Sequence, residues 1–207
     1  MTALRFSAVV LAAGLSSRMG SQNKLLLPAG GEPIIRRVVR GVLAADPREV
    51  VVVTGFEATA VARAVSDLPV WLASNPHYGE GQMTSVAVGV EALTKPTDAI
   101  MICLGDMAWL APADYRELVD VYASLTDKSI VVPHCRGRRG NPALLAASWI
   151  PELVSRPRNI GCRELIDSNA GAILNYEAAH DRFVLDIDTP EDYARMLTTI
   201  DEKTKAV

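Results

Sequence analysis

Aromatic residues make up only 5% of this 207-residue chain, and it has three cysteines and three histidines. Cys103, Cys135 and Cys162 are odd in number, far apart and without CxxC spacing. That argues against a disulfide framework or a structural zinc site and points to a reducing cytoplasm. No Ser/His/Asp or Cys/His arrangement stands out, and His77 reads as a solvated loop residue rather than a base. The apolar run after Arg5 is too short to span a bilayer and lacks a signal-peptide cleavage pattern, so no membrane is expected as a partner. With a formal charge of −3 there is no overall basic field for nucleic acid, and any anion must be held by a local cluster. Neither GxxxxGK[ST] nor GxGxxG occurs, which removes Walker ATPases and Rossmann dehydrogenases. Internal repeats and low-complexity linkers are also missing.

What remains is a chain with 49% hydrophobic residues, ample for one core. Short β-rich runs at Phe6–Ala12, Glu49–Thr54, Val70–Ala73, Ala99–Leu104 and Ser129–Pro133 alternate with helical spacing at Pro33–Ala45, Glu57–Ser66, Thr84–Leu93 and Pro112–Ser124. This rhythm predicts an α/β fold, a single Rossmann-like three-layer domain over residues 1–200 whose mostly parallel sheet is covered on both faces. After Pro133 the rhythm breaks. Arg136–Gly140 reads as a polar turn, Pro142–Ala146 as a short apolar run, and Gly171–Tyr176 and Arg182–Asp186 as further strands, together an insertion or lid over the sheet's carboxyl edge. Residues 201–207 read as a frayed tail.

Val9 to Lys24, VVLAAGLSSRMGSQNK, carries the strongest chemical signal. An apolar strand runs into a Gly/Ser-rich turn with Arg18 and Lys24, and such a turn suits a triphosphate: glycine lets backbone N–H groups approach, and the cations neutralise phosphate oxygens. The alternative is a plain βα turn with solvated cations. Ala99–Asp106 delivers a carboxylate to a strand end, where ligands collect in open α/β sheets, either as a hard ligand for Mg²⁺ or as a helix cap. In Phe183–Tyr193, alternation places Asp186 and Asp188 on one side of a strand end, and capping explains only one of the two. Ser74–Ser85 mixes turn residues with amide and hydroxyl groups and opens a helix. Arg136, Arg138 and Arg139 form the densest positive cluster, a solvated loop or a site for an anionic second substrate.

The first segment resembles the signature LxxGxSxRMGxxK of the MobA-like nucleotidyltransferases, matched at Leu11-Ala12-Ala13-Gly14, Ser16 or Ser17, Arg18-Met19-Gly20 and Lys24. Two alanines before the glycine look most like the molybdopterin cytidylyltransferases, whose guanylyl relatives more often carry paired glycines. Asn75–Ser85 is similar to the family's NPxxxxGM[ST]xS, with Gln82 as an extra residue; Arg138–Pro142 to RRGxPV, with Asn141 where many members have His; and Gly105–Ala108 to GDMP, with Ala108 in place of Pro. The segment at Asp186–Asp192 matches [DN]xDTPED.

The resemblance implies a nucleotide-diphospho-sugar transferase type of fold. It implies Mg²⁺, with Mn²⁺ as substitute, on Asp106 and Asp188, and Asp186 as a lower-ranked candidate. It assigns nucleotide contacts to Leu11, Ala12, Ala13, Gly14, Arg18, Lys24, Asn75, Thr84 and Ser85, catalysis to Arg18, Lys24 and Asp106, and acceptor contacts to Arg138, Arg139 and Asn141. The implied reaction moves CMP from CTP to the terminal phosphate of molybdopterin and releases pyrophosphate, with a client molybdoenzyme or its chaperone as a further partner. Guanylyl transfer, sugar- or polyol-phosphate transfer, and a non-catalytic maturation factor are the competing readings.

Overall fold

The computed structural model describes residues 4–20, 22–155 and 162–205. In chain order the elements are β1 (Phe6–Ala12), β2 (Pro28–Ala29), β3 (Glu32–Pro33), α1 (Ile34–Leu43), β4 (Val50–Thr54), α2 (Ala58–Ala64), β5 (Trp71–Ser74), α3 (Gln82–Glu91) and β6 (Ala99–Leu104). They continue as α4 (Pro112–Ala123), β7 (Ile130–Cys135), β8 (Arg138–Arg139), β9 (Ala143–Ala146), α5 (Ile150–Ser155), α6 (Cys162–Asp167), β10 (Ile173–Glu177) and α7 (Pro190–Lys205). The main sheet runs β10-β7-β9-β6-β1-β4-β5, with β8 beside β7, while β2 and β3 form a separate hairpin. Among the described residues only β9 and β8 run against the parallel direction of the rest of this sheet.

Strand periodicity splits the core into two. On β1, Phe6, Ala8, Val10 and Ala12 face one cluster with residues of α1, α2, α4 and α7, whereas Val9 and Leu11 face another with residues of α3, α5 and α6. Both faces of the sheet are covered, as a parallel sheet requires, giving the expected mixed, mostly parallel α/β architecture in three layers.

Two expectations fail. The apolar run before Ala146 is no lid: Ala143–Ala146 inserts between β6 and β7 as an antiparallel strand, with Leu144 and Leu145 fully buried. Its small and apolar side chains suit a slot covered on both faces, which a solvent-facing flap would not need. Arg182–Asp186 is not a strand; Asp181–Val184 forms a 3₁₀ turn. Its carbonyls are taken up by the neighbouring loop, Phe183 O accepting from Asn141 N (2.9 Å) and Val184 O from Arg138 Nη2 (2.9 Å), so no ladder forms. α7 continues through Lys205 into the segment expected to fray, and residues 206–207 of that segment lie outside the described residues.

Cys103 and Cys135 are free and buried, burial pushing the Cys103 thiol well up; the side chain of Cys162 lies outside the described residues. Among the described residues no helix is long and apolar enough to cross a membrane.

The register of β1 and β6, with Leu11 opposite Leu104, brings both carboxyl ends to one edge. Gly105 N donates to Leu11 O at 2.9 Å, and a Cβ on Gly105 would come within 2.8 Å of that carbonyl, so glycine permits the close passage that sets Asp106 beside the first loop. α3 lies equally close to the sheet. A Cβ at Gly89 would collide with Val9 Cγ1 and approach Val53 Cγ2 to 2.8 Å. Helix propensity alone favours Gly89→Ala by about 0.5–1 kcal/mol, but overpacking costs about 1–3 kcal/mol. Thermal melts should therefore show Gly89→Ala lower by roughly 2–4 °C, about 1 kcal/mol in a chain of this size. Gly171→Ala, whose Cβ meets nothing within 4 Å, should melt with the parent.

Candidate active site

The loop after β1 is tied by its own polar side chains. Ser16 takes a left-handed conformation (φ 53°), and Gly20 ends the following turn at φ 67°. Asn23 Oδ1 accepts from Leu25 N (3.1 Å) and from Ser16 Oγ (3.4 Å), and Ser16 Oγ accepts in turn from Lys24 N (3.2 Å). Asn23 caps the short turn Lys24–Leu26 and so aims Lys24 inward. No sequence motif singles out Asn23; its one signal is an Asn directly before a cationic, apolar turn.

Lys24 is the hub. Its ammonium lies 2.6 Å from Asp106 Oδ2 and donates to Asp188 Oδ1 at 2.8 Å, while Arg18 Nη1 donates to Asp188 Oδ2 at 2.5 Å. Burial alone disfavours the ammonium, but the Asp106 charge and the hydrogen bonds to Asp106 and Asp188 outweigh it and hold the Lys24 pKa above its usual value. For Asp188, burial pushes upward and the Lys24 hydrogen bond and charge, with Arg18, pull further down, leaving it below the ordinary aspartate range. Asp186 is shifted up, first by burial and then by repulsion from Asp106 and Asp188. Asp106, Asp186 and Asp188 each present an oxygen within 4.8 Å of the others, although the strand whose alternation was to align the last two does not form. These are hard donors with a geometry open to a divalent cation. Asp106 Oδ1 is buried and has no hydrogen-bond partner among the described residues, an acceptor that a cation could use.

These groups line a cleft of about 360 Å³, within the usual range for small-ligand sites. Of the residues assigned to the nucleotide, Leu11, Ala13, Gly14, Arg18, Lys24 and Ser85 line it. A Cβ on Gly14 would meet nothing within 4 Å, and its φ is ordinary, so packing does not demand glycine there; the open space lies on the cleft side. Ala12 is buried in β1 and does not line the cleft. Asn75 and Thr84 do not line it either: Asn75 Nδ2 donates to Thr84 Oγ1 (2.8 Å) and Ser85 Oγ (2.9 Å), and Asn75 Oδ1 accepts from His77 N (2.9 Å). The two hold the loop against the start of α3, whose N-terminal Gln82 and Ser85 face the cleft. His77 pairs with Glu80 at 2.8 Å, away from the cleft lining.

The arginine cluster divides. Arg138 straps Val184 O, Arg136 is exposed with its backbone N–H on Glu177, and Arg139 pairs with Asp167 at 2.6 Å. Arg139 and Asn141 line a second cleft of about 200 Å³ that shares Leu11, Gln82 and Leu104 with the first. The strap matters to the first cleft, because Phe183–Val184 leads directly to Asp186 and Asp188. Gly140 allows it: a Cβ there would collide with the Phe183 carbonyl.

The same segment is latched from its other side. Asp114, buried in the first turn of α4, accepts from Ala111 N (2.7 Å), Arg182 Nε (2.8 Å) and Arg182 Nη2 (2.6 Å). Burial pushes its carboxyl up, but hydrogen bonds from Arg182 and Ala111 and the Arg182 charge bring it below the usual range.

The sequence pattern of the MobA-like NTP transferase domain matches residues 8–174. The chain is 29% identical over 186 residues to the molybdenum cofactor cytidylyltransferase of Escherichia coli (strain K12), covering 89% of this chain and 92% of that protein. Its fold is similar to that of a nucleotidyl transferase from Methanothermobacter thermautotroptrophicus, at 26% identity and TM-score 0.83, covering 96% and 99% of the two chains. It is also similar to the manganese complex of Rv0371c from Mycobacterium tuberculosis H37Rv, at 24% identity and TM-score 0.77, covering 94% and 99%, a likeness of fold.

Removing one partner of a buried ion pair costs about 3 kcal/mol at the low end. Urea unfolding at pH 7 should show Asp114→Asn destabilised by about that amount. A depressed folded-state pKa contributes stability above the unfolded value and loses it as pH falls through the folded one. The gap between parent and variant should therefore close in acid, below the ordinary aspartate range. Equal midpoints at pH 7 would show that the latch does not hold the segment.

Proposed function

We propose that this chain, which belongs to the MobA-like NTP transferase family, transfers a cytidylyl group from CTP to the terminal phosphate of a molybdopterin-type acceptor and releases pyrophosphate. The observation that carries the proposal is the convergence of Arg18, Lys24, Asp106 and Asp188, from three distant stretches of chain, on one cleft. The cytidylyl and molybdopterin parts are supported by the likeness to the E. coli enzyme and by Ala12-Ala13 before Gly14.

Asp106 and Asp188, with Asp186 adjoining, would hold a divalent cation, Mg²⁺ or Mn²⁺ in its place. When bound, it neutralises charge on nucleotide phosphate oxygens. Lys24 exchanges its carboxylate partners for phosphate, and Arg18, largely exposed at the cleft rim, reaches the same group. Leu11, Ala13 and Gly14 offer backbone edges to the nucleotide, and the start of α3 adds its dipole. An acceptor phosphate oxygen from the second cleft then attacks the α-phosphorus in line; its bond to the β-phosphate oxygen breaks and pyrophosphate leaves with that electron pair. The attacking oxygen is already anionic, so no protein base is needed, and positioning and charge stabilisation carry the catalysis. A cytoplasmic setting suits the free, buried thiols.

Pyrophosphate release measured with CTP, GTP, ATP and UTP, with and without molybdopterin, tests this reading. CTP with molybdopterin should be the productive pair. Preference for GTP would transfer the assignment to guanylylation, release with a sugar or polyol phosphate would change the acceptor, and binding without release would make the chain a carrier. With the productive pair, Lys24→Ala should lower the maximal rate on the order of 10²-fold, as loss of one preorganised charge contact does. A rate near that of the parent would make Lys24 a structural cation only.

A further inference from the structure

The second cleft is built unlike a solvated loop. Its walls include the apolar Val86, Ile102, Ala143 and Ile166, and its only cationic lining residues among those described are Arg139 and Arg163. Arg163 comes from α6, an element that the sequence pattern did not reveal. Both arginines also border an adjoining depression of about 390 Å³.

Their partners differ. Arg139 is mostly buried and pairs with Asp167, whose side chain is 60% exposed, and so exposed a counterion is held weakly and given up readily to a better anion. Arg163 is exposed and makes no ion pair among the described residues. In an acidic chain, two guanidinium groups beside a cleft with both apolar and amide-bearing walls suit a planar ring that carries a phosphate. Arg136 and Arg138 do not line the slot.

We propose that Arg163 and Arg139 form a two-sided guanidinium clamp for the phosphate of the second substrate, and that Arg163, rather than Arg136 or Arg138, is the second arm of that clamp. The clamp rests on the reading of this cleft as the acceptor side of a nucleotidyl transferase. Arg139 is pre-positioned by Asp167 and the β8 turn, and Arg163 supplies a charge with no counterion among the described residues. The clamp takes the phosphate and the slot takes the ring, and the slot shares Leu11, Gln82 and Leu104 with the first cleft.

The test is anaerobic calorimetry with molybdopterin, and with a pterin lacking phosphate, on the parent protein, Arg163→Gln and Arg136→Gln. Arg163→Gln should weaken molybdopterin binding by roughly tenfold or more, as loss of a charge-assisted contact does. CTP affinity, melting temperature and binding of the phosphate-free pterin should not change, and Arg136→Gln should bind molybdopterin like the parent. Unchanged molybdopterin affinity in Arg163→Gln, or an equal loss in both variants, overturns the clamp. Molybdopterin binding that depends on Arg163, without pyrophosphate release from any nucleotide, supports the clamp and removes the transfer reaction. Normal transfer with an unchanged acceptor KM in Arg163→Gln does the reverse.

Discussion

A partly buried ammonium between two carboxylates organises the site. Lys24 touches Asp106, beyond the end of β6, and Asp188, just ahead of α7, and comes itself from the loop after β1. Three segments distant in sequence thus share one charge. The contact requires the in-register pairing of β1 with β6, the close passage at Gly105, the Asn23 cap that turns Lys24 inward, and the anchoring of residues 182–188. That last segment has little regular structure of its own. It is held by Arg138 on Val184, by Asn141 on Phe183 and by Asp114 on Arg182, so the polar bonds around it do what a strand ladder does elsewhere.

The same contact explains why the site suits a charged ligand. Three clustered carboxylates face two cations, Lys24 and Arg18, and Asp186 is shifted up by burial and then by repulsion from Asp106 and Asp188. Asp106 and Asp188 would hold a divalent cation whose charge offsets theirs, and Lys24 would then be free for phosphate, whereas phosphate alone would meet repulsion from both carboxylates. Metal and nucleotide are expected to enter together. The second cleft is arranged differently, with Arg139 and Arg163 beside apolar residues and, among the described residues, no carboxylate in its lining.

The main-sheet strands and the helices before Pro133 are legible in the sequence because period-2 and period-3.6 patterns dominate where both sheet faces are covered, whereas the two-residue strands of the β2–β3 hairpin are too short to carry a period. The loop after β1 and the place of Asp106 at the sheet's carboxyl edge are legible because a strand feeding a small-residue turn leaves few conformations open. Ala143–Ala146 misleads because Ala-Leu-Leu-Ala, apolar throughout, bears no period, and only the slot between β6 and β7 makes it a strand. Arg182–Asp186 misleads because its Phe-Val-Leu run reads as a short strand, but the Phe183 and Val184 carbonyls bond to the Arg138–Asn141 loop, a tertiary contact invisible to local patterning. The pairing of Asp186 with Asp188 follows from that wrong strand and still describes their proximity. Asn75 and Thr84 have the hydrogen-bonding chemistry expected of ligand contacts, and here that chemistry joins the loop to the start of α3.

The most direct test of the shared-charge site is a crystal structure with Mg²⁺ and a non-hydrolysable CTP analogue. One ion should be bound by both Asp106 and Asp188, and the Lys24 ammonium should have left both carboxylates for a phosphate oxygen of the nucleotide. A nucleotide bound elsewhere, with Lys24 still bridging Asp106 and Asp188, would contradict it.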